Sequence, residues 1–337
     1  MPHKVRMKTA RYWHRLEDGR IRCDLCPHGC TLADGATGMC RVRQARDGAL
    51  HALSYGHLTS VSMDPVEKKP LHHFHPGREI LSIGGWGCNL ACSFCQNWGI
   101  SQKMEAVGAA IEPAEVVAMA EAQHSFGIAY TYNEPLVGLE YVLDCARLAR
   151  ERGLKNVLVT NGYAMPEPAA EALSVTDAIN LDIKSMDPSF YRSLCKGTLE
   201  PVLNFARQAV AAGCRIEVTC LLIPGHNEDP DQVARLAAWM KDNLGVAVPL
   251  HLSAYFPRYR MDVQPTGAGV LEAAYRRARE VLPYVYVGNM PGTGWSDTYC
   301  PNCGSVLVRR SGYDVVLDGI ANERCGQCAR PVDLVLA

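Results

Sequence analysis

The stretch that decides the fold is EILSIGGWGCNLACSFC, residues 79–95. It opens with an apolar run at 79–83, short enough for a strand and bounded by glycine. Gly84, Gly85 and Gly87 frame Trp86, and Cys88, Cys92 and Cys95 follow. Thiolates spaced by three and two residues fit one loop wrapped around a corner of an iron–sulfur cubane, which takes one ligand per iron. Three cysteines leave one iron open, and an open metal position is where a small molecule can chelate and react. The glycines before Cys88 allow the backbone to approach such a cluster closely. The alternative, a structural zinc site, wants four ligands, and no fourth Cys or His lies nearby in sequence.

Outward from this stretch the apolar runs repeat. They fall at 79–83, 127–131, 156–160, 178–183, 215–223, 250–255 and 284–287, with helical periodicity between them, as at 113–123, 137–152, 202–212 and 230–243. Repeated βα units predict an α/β fold with a parallel sheet and helices outside it. Six or seven units suit a partial or full TIM-type (β/α) barrel, with the active site at the C-terminal strand ends. A doubly wound sheet fits the same alternation. The barrel domain is read over 79–294. Residues 1–78 are read as a Cys-rich β module, with hairpin turns at Asp18-Gly19 and Asp47-Gly48, followed by a loop-rich connector over 54–79. Residues 295–337 are read as a Cys-rich tail with β-prone runs at 306–308 and 315–317.

A chain of 337 residues that is 48% hydrophobic can bury a sizeable core. A net charge of −1 offers no footprint for nucleic acid. No run reaches the roughly 18 apolar residues of a membrane helix, and the opening Met1-Pro-His-Lys4 is no signal stretch. A soluble cytoplasmic protein is the expectation, with neither nucleic acid nor membrane as partner. Fifteen cysteines in such a chain then point to metals rather than disulfides. Cys300-Pro-Asn-Cys303 and Cys325-Gly-Gln-Cys328, with 21 residues between the pairs, read as a zinc ribbon. Metal binding supplies folding energy that so short a segment cannot gain from a core. Cys23, Cys26, Cys30 and Cys40 suit zinc or an auxiliary 4Fe–4S cluster, with His28 able to replace one cysteine. Cys145, Cys195, Cys214 and Cys220 read as small buried hydrophobes. His72, His73 and His75 read as loop histidines, and Glu67-Lys68-Lys69 as a solvated run. His226-Asn227 and Arg258-Tyr259-Arg260 follow strand ends; the first suits a turn or the barrel mouth, the second a solvated loop or an anion contact.

Further polar residues cluster at strand ends. Tyr132-Asn133-Glu134-Pro135 closes the second run, and Thr160-Asn161-Gly162 the third. Asp182 and Lys184 end the fourth, on one face of a strand. Opposite charges there are costly to bury unless paired or bound to ligand. Cys-x3-Cys-x2-Cys, with Phe94 before the third Cys, resembles the signature of radical S-adenosylmethionine (SAM) enzymes, and the resemblance spans about 79–290. It implies a partial barrel of that family's kind and a 4Fe–4S cluster on Cys88, Cys92 and Cys95. The open iron of that cluster would bind the amino and carboxylate groups of SAM's methionine part. One electron then cleaves the sulfonium, and the 5′-deoxyadenosyl radical takes a hydrogen atom from substrate. It also implies that Phe94 lies near the adenine, and that Asn133 and Glu134 stand where the family often has Gly-Gly-Glu-Pro at the methionine amino group. Asn161, Asp182 and Lys184 are implied as further cofactor contacts. Asn180-Leu-Asp182-Ile-Lys184 is similar to segments of glycyl-radical-enzyme activases such as the pyruvate formate-lyase activating enzyme. Val159 departs from an Asp that binds a monovalent cation there, and Phe256 from a cofactor-contacting His.

Over nearly the full chain the sequence resembles the radical enzyme of the AmmeMemoRadiSam system. The motifs are Cys23-x2-Cys26-Pro-His-Gly-Cys30 with Gly38-Met-Cys40, Asp64-Pro-Val-Glu-Lys-Lys-Pro70, Cys95-Gln-Asn97, Tyr132-Asn-Glu-Pro135, Ile223-Pro-Gly-His-Asn227 and the terminal Cys-Pro-x-Cys-Gly. That resemblance implies Memo-like and AMMECR-like partner proteins, an electron donor such as flavodoxin or ferredoxin, and a protein or small-molecule substrate. The rival reading is a non-catalytic zinc-binding scaffold that recruits partners through its two cysteine-rich ends.

Overall fold

The structure is a computed structural model and describes residues 7–103, 109–290 and 294–336; the opening Met1-Pro-His-Lys4 lies outside them. One eight-stranded sheet carries the functional region. Its strands are β1 (Ser60–Pro65), β2 (Glu79–Gly84), β3 (Gly127–Tyr130), β4 (Lys155–Thr160), β5 (Ala178–Asp182), β6 (Arg215–Leu222), β7 (Leu250–Ala254) and β8 (Val285–Gly288). Spatial order follows chain order; β1 runs antiparallel to β2, and every other pairing is parallel. One cavity is lined both by Glu67, Lys68 and Pro70 after β1 and by Val287 and Gly288 of β8, so the sheet curls until its two ends face each other. This is a partial barrel.

The parallel strands are continuous apolar runs because helices cover their outer face. Those helices are α1 (Pro113–Ala122), α2 (Leu139–Glu151), α3 (Pro166–Ser174), α4 (Glu200–Ala211), α5 (Pro230–Asn243) and α6 (Ala268–Arg279). Pro113, Pro166 and Pro230 each open a helix, where a missing N–H costs nothing. None of the described helices is long and apolar enough to cross a membrane.

The connector read as loop-rich over 54–79 is corrected at β1, which supplies an edge strand of the main sheet. Its sequence, Ser-Val-Ser-Met-Asp-Pro, alternates weakly because an edge strand needs little apolar surface, and Val61 is exposed. His72, His73 and His75 lie in a loop, as read, but they are buried there. His73 bonds the Tyr286 hydroxyl at 2.6 Å and the Asp333 carbonyl at 2.9 Å. The backbone N–H groups of His72 and His73 donate to Glu217, which also bonds His251 Nε2 at 2.6 Å. Arg310 from the C-terminal segment donates to the His72 carbonyl at 2.7 Å. The histidines therefore lock the tail onto the barrel.

At the other end, Arg43–Arg46 and Ala49–Ala52 form a hairpin whose turn residues, Asp47 and Gly48, take φ of 51° and 75°. Both are left-handed, as a tight two-residue turn of this hand requires. Arg43 from this hairpin is buried, with Nη2 2.6 Å from Glu140 Oε1 on α2. Its other guanidinium nitrogens donate to the carbonyls of Arg11 and Val137, and the Arg11 N–H also donates to Glu140. Removing one partner of a buried pair leaves an uncompensated charge, at about 3–5 kcal/mol. Glu140→Ala is thus expected to lower unfolding free energy by about that amount in urea titrations. A midpoint equal to wild type would show that the pair does not hold the N-terminal hairpin in place.

Candidate active site

The site forms at the C-terminal ends of β2 to β5. After β2 the chain passes through Gly84–Gly87 into the cysteine loop. A Cβ on Gly87 would sit 2.6 Å from the Cys40 carbonyl and 2.5 Å from Val42 Cγ1, and its φ is +85°. Only glycine fits that approach. The loop is pinned from behind by a π-helical turn at Tyr191–Cys195. Ala91 and Ser93 N–H groups donate to the carbonyls of Cys195 and Leu194 at 2.9 and 3.0 Å. Arg260 N–H donates to the Ser93 carbonyl at 2.9 Å.

Cys88, Cys92, Phe94, Cys95, Asn133, Glu134, Asn161, Asp182 and Lys184 all line one cavity of about 490 Å³. Cys88 Sγ accepts from the Leu90 N–H at 3.4 Å and from Asn161 Nδ2 at 3.6 Å. Burial, with the Glu134 charge beside it, pushes the Cys88 thiol up. The Cys92 thiol is pulled down, first by a hydrogen bond from Cys195 and also by the Lys184 ammonium. Burial raises Cys95. Cys195 is buried, as its reading as a small hydrophobe requires, yet it also touches a candidate ligand. No local sequence signal marks that contact.

Glu134 and Asn133 stitch the strand ends together. Glu134 Oε1 accepts from the Leu136 N–H at 3.0 Å and the Thr160 hydroxyl at 2.7 Å; Oε2 accepts from the Asn161 N–H at 2.8 Å. Burial outweighs these bonds and raises its carboxyl to about 7. Asn133 Oδ1 accepts from the Gly85 N–H at 2.9 Å, and Nδ2 donates to the Trp86 and Gly87 carbonyls at 3.1 Å each. Tyr132, ahead of them, takes φ of 71°, a value a glycine adopts without strain. Lys184 Nζ bonds Asp182 Oδ2 at 3.0 Å and lies 5.9 Å from the centre of the Phe94 ring. Burial works to lower Lys184, but Asp182 and the thiols of Cys92 and Cys195 outweigh it and hold the ammonium well above its ordinary value. Asn227 Nδ2 donates to the Lys184 and Leu221 carbonyls, binding the ends of β5 and β6, while His226 is exposed. Phe256 is exposed and is not among the cavity's lining residues, whereas Val159 is.

Glu67-Lys68-Lys69 is not a solvated run, because Glu67 and Lys69 are buried. Asp64 on β1 binds Lys68 at 2.7 Å, Lys69 at 2.5 Å and the Tyr132 hydroxyl. Burial alone would raise Asp64, but these three bonds hold it well below the usual carboxylate range. Lys68 and Lys69 thereby reach the cavity wall. Glu67 looked solvated because its partner Arg310 is remote in sequence, whereas the lysines pair with Asp64 of the edge strand β1, only four and five residues before them.

The other two cysteine groups lie apart from this cavity. In the tail, Cys300–Cys328 and Cys303–Cys325 sulfurs are each 3.6 Å apart, and all four sulfurs fall within 4.8 Å of one another. The Ser305 hydroxyl, the largest influence, and nearby N–H groups bring Cys325 down to about 6. Thiolates converging on one point can hold a metal ion.

Residues 83–237 match the Radical SAM superfamily. The chain is 41% identical over 336 residues to "Uncharacterized protein MJ0808" of Methanocaldococcus jannaschii, covering 98% of this chain and 100% of that one. It is 26% identical over 162 residues to the pyruvate formate-lyase 1-activating enzyme of Escherichia coli strain K12, covering 46% of this chain and 66% of that one. A radical SAM methyltransferase structure from Sphaerobacter thermophilus superposes with a TM-score of 0.51 at 14% identity, over 83% of this chain and 76% of that one. That likeness is one of fold. The chain carries a radical SAM domain and belongs, over its full length, to the family of the Methanocaldococcus jannaschii protein. A 4Fe–4S cluster and SAM follow from that domain.

The donor set fits the cluster. Three cysteines border a cavity, N–H groups point at the Cys88 sulfur, and a lysine stands beside Cys92. Glu134→Gln replaces one acceptor oxygen by a donor and leaves at least one of its three bonds unmade. An unsatisfied buried donor costs about 1–3 kcal/mol. This variant is expected to lose that much stability in urea and to bind SAM at least tenfold more weakly by calorimetric titration. Wild-type stability would contradict Glu134 as the tie between β3 and β4.

Proposed function

We propose that this protein is a radical SAM enzyme in which Cys88, Cys92 and Cys95 hold the 4Fe–4S cluster and the 490 Å³ cavity receives SAM. The observation that carries this reading is the convergence of those cysteines with Glu134, Asn161 and Lys184 on one cavity wall at the strand ends. When held by these cysteines, a reduced cluster would supply the one electron that cleaves SAM to methionine and a 5′-deoxyadenosyl radical able to take a hydrogen atom from substrate. That electron enters from a protein donor of the flavodoxin or ferredoxin class.

The chain's own residues bind and orient. Glu134 offers a carboxylate for the methionine ammonium, held rigid by Thr160 and Asn161. Asn161 also donates to the Cys88 sulfur, so cofactor contact and cluster ligand share one side chain. Phe94, buried in the loop and lining the cavity, offers an apolar surface for the adenine. Lys184 sets a positive charge beside Cys92, which favours the thiolate. Asn133 acts as a positioning residue for the Gly85–Gly87 turn.

A second cavity of about 640 Å³ shares Lys68, Ser253 and Asn289 with the first and is lined on one side by Arg310–Tyr313 of the tail. We assign the substrate to this seam between the sheet ends. The E. coli relative makes an activating-enzyme role the first candidate. The full-length resemblance to the AmmeMemoRadiSam radical enzyme makes modification of another substrate, with Memo-like and AMMECR-like partners, the second. Zinc is the ion proposed for the tail, since Zn–S bonds of about 2.3 Å give sulfur–sulfur edges near 3.8 Å.

The test is anaerobic reconstitution followed by reduction with SAM present, using wild type and Cys92→Ala. Wild type is expected to be brown, to carry iron and to release 5′-deoxyadenosine, and the variant to release none. Colourless wild type holding only zinc would favour the scaffold reading instead.

A further inference from the structure

The N-terminal cysteines take no part in the chemistry above, yet they form a site of their own. Cys23, Cys26 and Cys40 are buried and Cys30 is half-buried. The four sulfurs are electrostatic neighbours: Cys26 feels the charges of Cys40, Cys23 and Cys30, and Cys23 those of Cys40 and Cys30. They are spread more widely than the tail set. Among the described residues, the tail cysteines are the group whose sulfurs fall within 4.8 Å of one another, and no three of the N-terminal sulfurs do so.

That difference in spread has a chemical meaning. One tetrahedral ion with bonds of about 2.3 Å demands sulfur–sulfur edges of about 3.8 Å. A cubane seats each thiolate on a different iron, so its four sulfurs surround a larger body. The chain thus holds one cysteine group at single-ion spacing and one at wider spacing. One backbone N–H of the same loop, that of Met39, donates to Cys30 Sγ at 3.5 Å. The buried Arg43 guanidinium adds positive charge near Cys23 and Cys40. Hydrogen bonds to sulfur and nearby charge are the means by which a protein stabilises and tunes such a cluster.

The site also abuts the catalytic loop. The Cys40 carbonyl and Val42 lie against Gly87, next to Cys88. His28 Nε2 bonds the Asn89 carbonyl at 2.7 Å, and the Leu25 carbonyl accepts from the Met165 N–H at 3.0 Å. We propose that Cys23, Cys26, Cys30 and Cys40 hold a second 4Fe–4S cluster, packed directly behind the active-site loop. Four thiolates close all four iron positions, so this centre carries electrons and does not bind SAM. The cluster assignment stands independently of the proposed function; only its role beside the catalytic loop rests on that reading.

The experiment uses the full chain with Cys88, Cys92 and Cys95 all replaced by alanine, reconstituted anaerobically. About four irons per chain are expected to remain, with a reduced-state EPR signal that SAM does not alter. A variant holding zinc and no iron would overturn the proposal. Wild-type metal content is a second check, free of any folding defect: about eight irons and one zinc per chain support it, and about four irons and two zincs overturn it. If wild type makes no deoxyadenosine while the triple variant keeps its irons, the catalytic reading fails and this one stands.

Discussion

Glu134 is the interaction on which the site depends. Its buried carboxylate ends β3, caps the turn at Pro135–Gly138 and accepts bonds from Thr160 and Asn161 at the end of β4. Asn133, one residue earlier, holds the Gly85–Gly87 turn that follows β2. Two adjacent side chains therefore set three neighbouring strand ends in register around Cys88. A carboxylate without those donors would be costly to bury at this depth, so the local fold and the site stabilise each other.

The remaining architecture presses on this point from two sides. The N-terminal segment is anchored by Arg43 on Glu140, and its cysteine loops rest against Gly87 and Asn89. The tail is anchored by Arg310 on His72 and by Asp333 on His73 and Tyr284. It lines the seam between the sheet ends, where the second cavity meets the first. Both cysteine-rich ends are thus part of the walls that shape the region around the central loop.

Much of this was legible in the sequence, for physical reasons. Buried parallel strands must be continuous apolar runs, and all seven stood out as such, within a residue or two of β2 to β8. The site residues follow strand ends, so the motifs at Cys88–Cys95, Glu134, Asn161 and Lys184 could be assigned to one mouth before any distance was known. Most of what was hidden depends on remote partners. Glu67 carries charge and so looked solvated, but Arg310 of the tail draws it inside; Lys69 is drawn in by Asp64, five residues away, on the edge strand that the sequence did not reveal. The burial of the loop residues His72 and His73 had no local sign, because Glu217, Tyr286 and Asp333 lie well over a hundred residues away. β1 escaped notice because an edge strand needs no strong apolar alternation. The contact of Cys195 with Cys92 has no local signature.

The central claim is that SAM binds at the cluster on Cys88, Cys92 and Cys95, beside Glu134. Its most direct test is the EPR spectrum of the anaerobically reduced full chain with and without SAM, compared with Cys88→Ala. The account predicts that SAM shifts the signal of one cluster in wild type and leaves the variant's spectrum unchanged. A wild-type spectrum indifferent to SAM would contradict it.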